Sequence, residues 1–293
     1  MKCYEITFSP TGGTQKAADL LTKELSGECT AVDLTKQDAD FSAAAFTAED
    51  LAVIAVPSYG GRVPAVAVER LGTLKGNGAR AVLVCVYGNR AYEDTLAELE
   101  DAAVQAGFRV IAAVAAIAEH SVVRRYAAGR PDAEDEKQLQ AFAAKIREKL
   151  AAGDDTKPAI PGNRPYKKAG GSGMVPKPGK GCNHCGLCAQ KCPVHAIDPQ
   201  DPQNTDQDLC ISCMRCVSIC PQSARKVNPV MLAAADLMLK KVCTDRKEGE
   251  LNTKKESEKA GDHVGSPAFC VRFAEAMPSP ACGSARSKRN TAA

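Results

Sequence analysis

The chain has 293 residues, of which 44% are hydrophobic and 25% are charged, values that are ordinary for a globular protein. Its net charge of +3, with no concentrated basic stretch, argues against binding to nucleic acid. The longest apolar run, residues 110–118, is too short to span a bilayer, and the N-terminus lacks the pattern of a signal peptide. We therefore expect a cytoplasmic protein without membrane insertion. Fourteen cysteines in such a chain indicate metal or redox chemistry rather than disulfides.

Residues 1–152 alternate short apolar runs with amphipathic helical patterns. Strands are predicted at 2–8, 51–57, 81–88 and 110–118, and helices at 14–27, 93–107 and 131–153. This alternation predicts a parallel sheet that is covered by helices on both faces. Three cysteines, Cys3, Cys29 and Cys85, lie in or beside the predicted strands, and we expect them to be buried as small hydrophobic side chains.

The rest of the chain divides by composition. Residues 153–181 are rich in glycine and proline and are predicted to be a linker that separates two domains, ordered where it crosses a domain surface. Residues 182–228 contain an internal repeat, and residues 229–243 predict a short helix. Residues 244–293 show no sustained periodicity, so we expect a disordered tail.

Residues 182–196 and 210–224 are two copies of one motif, offset by 28 residues, and each reads C-x2-C-x2-C-x3-C-P. Three closely spaced cysteines allow one loop to wrap a four-iron cluster, and the following proline stops the chain from continuing as a helix. A pair of zinc sites is the alternative. Zinc prefers two pairs of ligands that are a dozen or more residues apart, so the pattern favours iron–sulfur clusters.

The segment 182–228 resembles the two-cluster ferredoxins of bacteria over essentially its whole length, which implies a small α+β domain. In that family the fourth cysteine of each motif ligates the other cluster. The resemblance therefore implies two 4Fe-4S clusters with crossed ligands: Cys182, Cys185, Cys188 and Cys220 for the first, and Cys210, Cys213, Cys216 and Cys192 for the second. One departure is Arg225, which stands where the first copy has Ile197; a charge there can tune the potential of a nearby cluster.

A turn rich in hydroxyl groups follows the first predicted strand and leads into the first helix. It contains Ser9, Thr11, Gly12, Gly13 and Thr14. Backbone N–H groups and the positive end of a helix favour an anion at such a turn, and hydroxyl groups can donate to phosphate oxygens. The turn matches neither the P-loop nor the dinucleotide fingerprint, and simple helix capping by a threonine is the alternative.

Two further loops follow the strands at 51–57 and 81–88, at the sheet edge where open α/β sheets bind ligands. The first loop carries Pro57, Ser58, Tyr59, Gly60 and Gly61, and the second carries Tyr87, Gly88, Asn89 and Tyr92. Glycine allows close approach of the backbone, and tyrosine can stack on a flat ring. Residues 119–121 follow the next strand at the same edge and are further candidates to approach such a ring.

Taken together, these three loops make the N-terminal half resemble flavodoxin. The resemblance implies a doubly wound α/β fold with a parallel five-stranded sheet. It also implies that the hydroxyl-rich turn holds the phosphate of FMN and that the two later loops contact the flavin ring. The chain contains no tryptophan, which is often a stacking partner in flavodoxins. A flavodoxin-like fold without flavin is the alternative.

The whole chain resembles the flavodoxin–ferredoxin fusion proteins of anaerobic bacteria and archaea. This resemblance implies electron transfer between two 4Fe-4S clusters and FMN, with another redox protein as donor or acceptor. The sequence shows no acid–base pair or nucleophile for a third substrate. A flavin-dependent reductase of a small acceptor and a redox sensor are the alternative functions.

Overall fold

A computed structural model describes residues 1–170 and 173–254 of the chain. Its strands are β1 (Cys3–Thr7), β2 (Thr30–Asp33), β3 (Leu51–Pro57), β4 (Arg80–Tyr87), β5 (Arg109–Ile117), β6 (Lys177–Pro178), β7 (Arg225–Lys226) and β8 (Glu250–Asn252). Its α-helices are α1 (Gly13–Ser26), α2 (Ala65–Leu71), α3 (Thr95–Gln105), α4 (Ala133–Ala151), α5 (Leu187–Gln190), α6 (Arg215–Ser218) and α7 (Pro229–Cys243), and a short 3-10 helix spans Phe41–Ala43. The four predicted strands and three predicted helices of the N-terminal half are all present.

The main sheet has the strand order β2-β1-β3-β4-β5-β8, and its first five strands are parallel. The order 2-1-3-4-5 is that of the flavodoxin-like doubly wound fold, so the predicted fold class is confirmed. Strands β3, β4 and β5 are buried on both faces because they consist almost entirely of small and branched apolar residues. Helices α1 and α4 cover one face, and α2 and α3 cover the other.

The predicted linker is packed along the N-terminal domain over much of its length. The carboxylate of Asp94, at the start of α3, accepts hydrogen bonds from Asn163 N at 2.8 Å, from Asn163 Nδ2 at 2.9 Å and from Lys167 N at 2.7 Å. Asp94 is 1% exposed. Residues 153–170 are therefore held as a strap on this domain, with Asp94 as an anchor.

The repeat in the cysteine-rich segment, residues 182–228, is also a repeat of backbone geometry. Equivalent residues share a positive φ: His184 and Ser212 (56° and 53°), Gly186 and Met214 (71° and 62°), and His195 and Ser223 (52° and 47°). In each copy a backbone N–H donates to the fourth cysteine at 3.3 Å, from Ala196 to Cys192 Sγ and from Ala224 to Cys220 Sγ. Strands β6 and β7 close this segment as a short antiparallel ribbon.

The expectation of a disordered tail from residue 244 is wrong for residues 244–254. After α7 the chain returns to the main sheet, where β8 pairs antiparallel with β5 and places Asn252 opposite Ala113. Leu251 packs against the apolar cluster that lies beneath α1 and α4. Three residues give too short a signal to be read as a strand, and their partner lies far away in the chain. The remainder of the predicted tail, 255–293, lies outside the described residues.

Two of the cysteines expected to be buried hydrophobic side chains form a disulfide. Cys3 begins β1 and Cys29 precedes β2, and the register that pairs Tyr4 with Thr30 brings the two cysteines to a Cα–Cα distance of 4.5 Å. The expectation for Cys85, a free and fully buried cysteine, agrees with the structure. Among the described residues, no helix combines the length and apolar character needed to cross a membrane.

Candidate functional site

A cavity lies at the carboxyl edge of the sheet, where the three predicted loops meet. The predicted site residues that line it are Thr11, Gly13, Thr14, Pro57, Ser58, Tyr59, Tyr87 and Gly88. Glu119 and Ser121, which follow β5, complete the wall. The parallel strands bring together residues that are more than one hundred positions apart in the sequence, because their carboxyl ends share one edge. The other six predicted residues of this site do not line the cavity.

The hydroxyl-rich turn presents the N-terminus of α1 to the cavity. Gly12 precedes the helix with φ 91°, a conformation that favours glycine, and as a glycine it has no side chain of its own to cap the helix. Thr14 is buried, whereas Thr11 is exposed. A helix N-terminus beside hydroxyl groups fits the phosphate of a mononucleotide.

Ser9 supports this turn from behind. Its hydroxyl accepts a hydrogen bond from Gln15 N at 2.8 Å, and its own N–H donates to Thr35 Oγ1 at 2.7 Å. Thr35, just after β2, was not predicted as a site residue because it belongs to none of the three loops. The structure thus makes Ser9 and Thr35 positioning residues of the turn.

The loop after β3 turns tightly through Gly60 and Gly61. Tyr59 and Arg62 exchange backbone hydrogen bonds of 2.9 and 3.2 Å, and the two glycines between them have φ values of 61° and 87°. Two positive φ values at the central positions are those of a type I′ turn, which explains the glycine pair. The turn directs Tyr59 toward the cavity, whereas neither glycine lines it.

The loop after β4 is only partly available to a flavin ring. The side-chain amide of Asn89 donates to Cys243 O at 2.8 Å and to Asp245 O at 2.9 Å, so it anchors the segment after α7. The hydroxyl of Tyr92 donates to Glu250 at 2.6 Å, and its ring packs on Tyr87 with centroids 5.4 Å apart. The expectation that the Asn89 and Tyr92 side chains contact the ring is therefore not met here, since both are engaged elsewhere.

The three residues after β5, 119–121, do not all line the cavity. Glu119 and Ser121 line the cavity, but His120 is turned into its own loop, where its Nδ1 accepts from Val122 N at 3.2 Å and Val123 N at 3.1 Å. Burial lowers the pKa of His120, and the charge of Arg90 lowers it further. His120 thus does not line the cavity, and its Nδ1 is an acceptor within its own loop.

The second predicted cysteine quartet surrounds an apolar cavity in the cysteine-rich segment. All four members, Cys192, Cys210, Cys213 and Cys216, line this one space. Burial raises the pKa of Cys213 and of Cys216 to about 12, and the neighbouring cysteines, including Cys192, add to the effect. Because burial opposes the thiolate forms, this donor set fits a cationic iron–sulfur core that compensates their charge.

The arrangement differs from that of a site for a single ion. Within residues 1–170 and 173–254, no three His, Cys, Asp or Glu side chains form a group that would hold one metal ion. The four cysteines of the second quartet instead line one apolar cavity, and four thiols are the ligand set of a 4Fe-4S cluster.

The first predicted quartet lies closer to the surface. Its member Cys185 is exposed, and Cys182 and Cys188 are half-buried. At Cys220 burial opposes the thiolate, but the N–H groups of Ala224 and its neighbours outweigh it and lower the pKa below 9.0. The grouping of Cys220 with the first three cysteines stays a prediction.

The cavity at the carboxyl edge of the sheet, where the three loops meet, is called the flavin-type cavity below. The cysteine-rich segment is docked on the edge of this cavity. Arg215, in the wall of the second quartet's cavity, donates from Nη1 to Pro10 O at 3.1 Å. Burial raises the pKa of Tyr59 well above its ordinary value, and the nearby Cys213 raises it further. Met214, Val217 and Ser218 share a second cavity with Thr11 and Gly13. The second quartet therefore borders the hydroxyl-rich turn.

Further contacts fix this docking beside the carboxyl end of β2. Gln37 Nε2 donates to Gln190 O and Arg70 Nη2 donates to Pro193 O, each at 2.6 Å. Ile211 packs against the apolar core beneath α2 and α3. The expectation that the linker separates the two domains is thus wrong, because the domains share an interface.

Residues 181–224 match the family described as a 4Fe-4S dicluster domain. The chain joins a flavodoxin-like domain to a 4Fe-4S dicluster domain. The dicluster part corresponds to the cysteine-rich segment, and the flavodoxin-like part is identified by its strand order. An iron–sulfur domain fused to a flavodoxin-like domain supports a role in electron transfer.

One curated relative is a component of the tetrathionate reductase of Archaeoglobus fulgidus. It is 38% identical over 69 residues, which are 22% of this chain and 32% of the relative. The chain thus spans about one third of the length of that protein.

Solved structures similar to the chain include two flavodoxins. One is from Streptococcus pneumoniae (24% identity, TM-score 0.36, covering 52% of this chain and 99% of that one). The other is a short-chain flavodoxin associated with a bacterial microcompartment (18% identity, TM-score 0.35, covering 50% and 99%). A third is rubredoxin oxygen:oxidoreductase from Desulfovibrio gigas (17% identity, TM-score 0.34, covering 51% and 35%).

Proposed function

We propose that this protein relays electrons between two 4Fe-4S clusters and FMN. The dicluster domain would hold the clusters through the two crossed cysteine quartets, and the flavodoxin-like domain would hold FMN with its phosphate at the turn from Ser9 to Thr14. When bound, the clusters exchange single electrons and FMN exchanges one or two.

One observation carries the proposal: the second quartet is packed against the turn that would bind FMN. Arg215 belongs to the wall of the quartet's cavity and reaches Pro10 of the turn. Met214, which also lines the quartet's cavity, shares a second cavity with Thr11 and Gly13 of the turn. This juxtaposition supports transfer within one chain, because no domain movement is needed to bring the two sites together.

The difference in exposure between the quartets supports an order of transfer. Cys185 of the first quartet is exposed, whereas Cys192 and Cys213 of the second are each 8% exposed. The first quartet is thus the one that a partner can approach, and the second connects it to the flavin-type cavity. The partner proposed here is a separate redox protein that gives or accepts one electron at a time.

Composition is the first test. Protein purified without oxygen should contain about eight irons and eight acid-labile sulfides per chain, because two complete cysteine quartets are present. It should also release one FMN rather than FAD. Stoichiometric zinc without sulfide would overturn the assignment of the dicluster domain.

The relay itself is tested by removing the second cluster. Cys213→Ala should leave FMN bound but slow its reduction by a reduced ferredoxin by an order of magnitude or more in rapid mixing. Cys85→Ala is the matched control, because Cys85 is a buried cysteine outside both quartets. Equal flavin reduction rates in the two variants would show that electrons reach the flavin without the second quartet.

A further inference from the structure

Arg225 is a buried cation in the dicluster domain. It is 2% exposed and begins β7, where it is paired with Pro178 of β6. Among the described residues no carboxylate forms an ion pair with it. Burying a guanidinium without a compensating negative charge is costly, so its position calls for a partner of another kind.

The hydrogen bonds of Arg225 fix its orientation without neutralising it. Its Nη1 donates to Pro176 O at 2.9 Å and to Thr205 Oγ1 at 3.1 Å, and its Nη2 donates to Pro202 O. All three acceptors are uncharged. Its Nε is buried and has no hydrogen-bond partner among the described residues. The side chain is therefore held in the interior with one N–H that no acceptor in the described part of the chain takes up.

Arg225 lies beside both predicted quartets. Its acceptors Pro176 and Thr205 belong to the wall of the cavity that the second quartet lines. The preceding residue, Ala224, donates its N–H to Cys220 Sγ of the first quartet at 3.3 Å. The buried guanidinium is therefore placed next to both sites.

We propose that Arg225 is a tuning residue shared by the two clusters, with its free Nε–H donated to a cluster sulfur and its charge raising their reduction potentials. This inference rests on the proposed function, because it requires that both clusters bind. Reduction adds one electron from the donor to a cluster and no proton, so the negative charge of that cluster grows by one. A fixed positive charge stabilises the reduced form more than the oxidised form, and hydrogen bonds to sulfur act in the same direction.

The test is a potentiometric titration of the full-length holoprotein, followed by electron paramagnetic resonance. In Arg225→Met we expect the equilibrium constant for reducing at least one cluster to fall about tenfold, equivalent to about 59 mV for a one-electron couple. Lys226→Met is the matched control, because Lys226 is the next residue of β7, carries the same charge and is exposed. Its potentials should match those of the parent, and equal potentials in Arg225→Met and Lys226→Met would overturn the proposal.

Iron and sulfide content separates this proposal from the proposed function. A parent protein without clusters would refute the proposed function. If the parent holds clusters but Arg225→Met does not, the cluster content of Arg225→Lys and Arg225→Gln shows whether cluster binding requires the charge or the packing of this side chain. Clusters retained by the lysine variant and lost by the glutamine variant support a required buried charge. Loss of the clusters from both variants would show a packing role and refute tuning. If Arg225→Gln retains the clusters, reduction potentials equal to those of the parent would refute tuning as well.

Discussion

The hydroxyl groups of Thr11 and Thr14 are the most direct test of the phosphate site. Valine in both positions keeps the shape of the side chains and removes two donors from the cavity. Each charge-assisted hydrogen bond to a phosphate contributes about 1.5–3 kcal/mol, and Thr14, being buried, lies toward the upper end. The double variant should therefore bind FMN about 3–6 kcal/mol more weakly, which is roughly a 10²- to 10⁴-fold rise in Kd.

Flavin fluorescence measured on flavin-free protein gives this Kd directly. Riboflavin lacks the phosphate, so its affinity should be the same in the parent and in the double variant. Thr73→Val is the matched control, because Thr73 is exposed and its hydroxyl donates to Arg70 O outside the cavity. An unchanged affinity for FMN in the double variant would place the phosphate elsewhere and remove the main support for the flavin site.

Iron content must be measured in the same samples. Because Arg215 donates to Pro10 O, the phosphate turn touches the dicluster domain. A loss of affinity that is accompanied by a loss of iron would report on the interface rather than on the phosphate. Full iron content with weakened FMN binding isolates the two hydroxyl groups.

Two further predictions concern the crossed ligands and the strap. Cys192→Ala should damage the cluster of the second triplet and Cys220→Ala that of the first, as seen by electron paramagnetic resonance; each variant harming its own triplet's cluster would contradict the crossing. Burial opposes ionisation of Asp94, but the donors on Asn163 and Lys167 outweigh it and lower the pKa of this carboxyl below 3.8. The ionised carboxylate therefore stabilises the folded protein above pH 3.8, and this contribution to the free energy of unfolding is lost as the pH falls further. Asp94→Asn should lower the free energy of unfolding by about 2 kcal/mol at pH 7. The free energy of unfolding, measured by urea titration, should also fall less steeply with decreasing pH in this variant than in the parent. An equally steep fall in both proteins would refute this role of Asp94.

Strands β1, β3, β4 and β5 and the cysteine motifs were predictable because each is encoded locally. Apolar runs such as LAVIAVP at residues 51–57 are long enough to show a strand buried on both faces, and the cysteine repeat is complete in each copy. Helix α2 was missed, since its seven residues are too few to reveal a helical period. Strands β2 and β8, with four and three residues, were missed because they are too short to show an apolar run or an alternation.

The parts that could not be predicted depend on contacts between distant residues. Asn89 follows a strand and resembles a residue that contacts a flavin ring, but its partners lie 154 and 156 residues further along. The disulfide between Cys3 and Cys29 depends on which strands are neighbours in the sheet. The docking of Arg215 on Pro10 likewise depends on how two domains meet, which no local pattern encodes.

The pairing of β8 with β5 makes the dicluster domain an insertion in the flavodoxin-like sheet rather than an appendage to it. The chain leaves the sheet at Ile117 and rejoins it only at Glu250, so both ends of the inserted part are fixed to one body. During synthesis, the sheet cannot acquire its sixth strand until the whole cysteine-rich segment has been made. The hydrogen-bonding edge of β5 is therefore open throughout that interval, and completion of one domain waits on translation of the other.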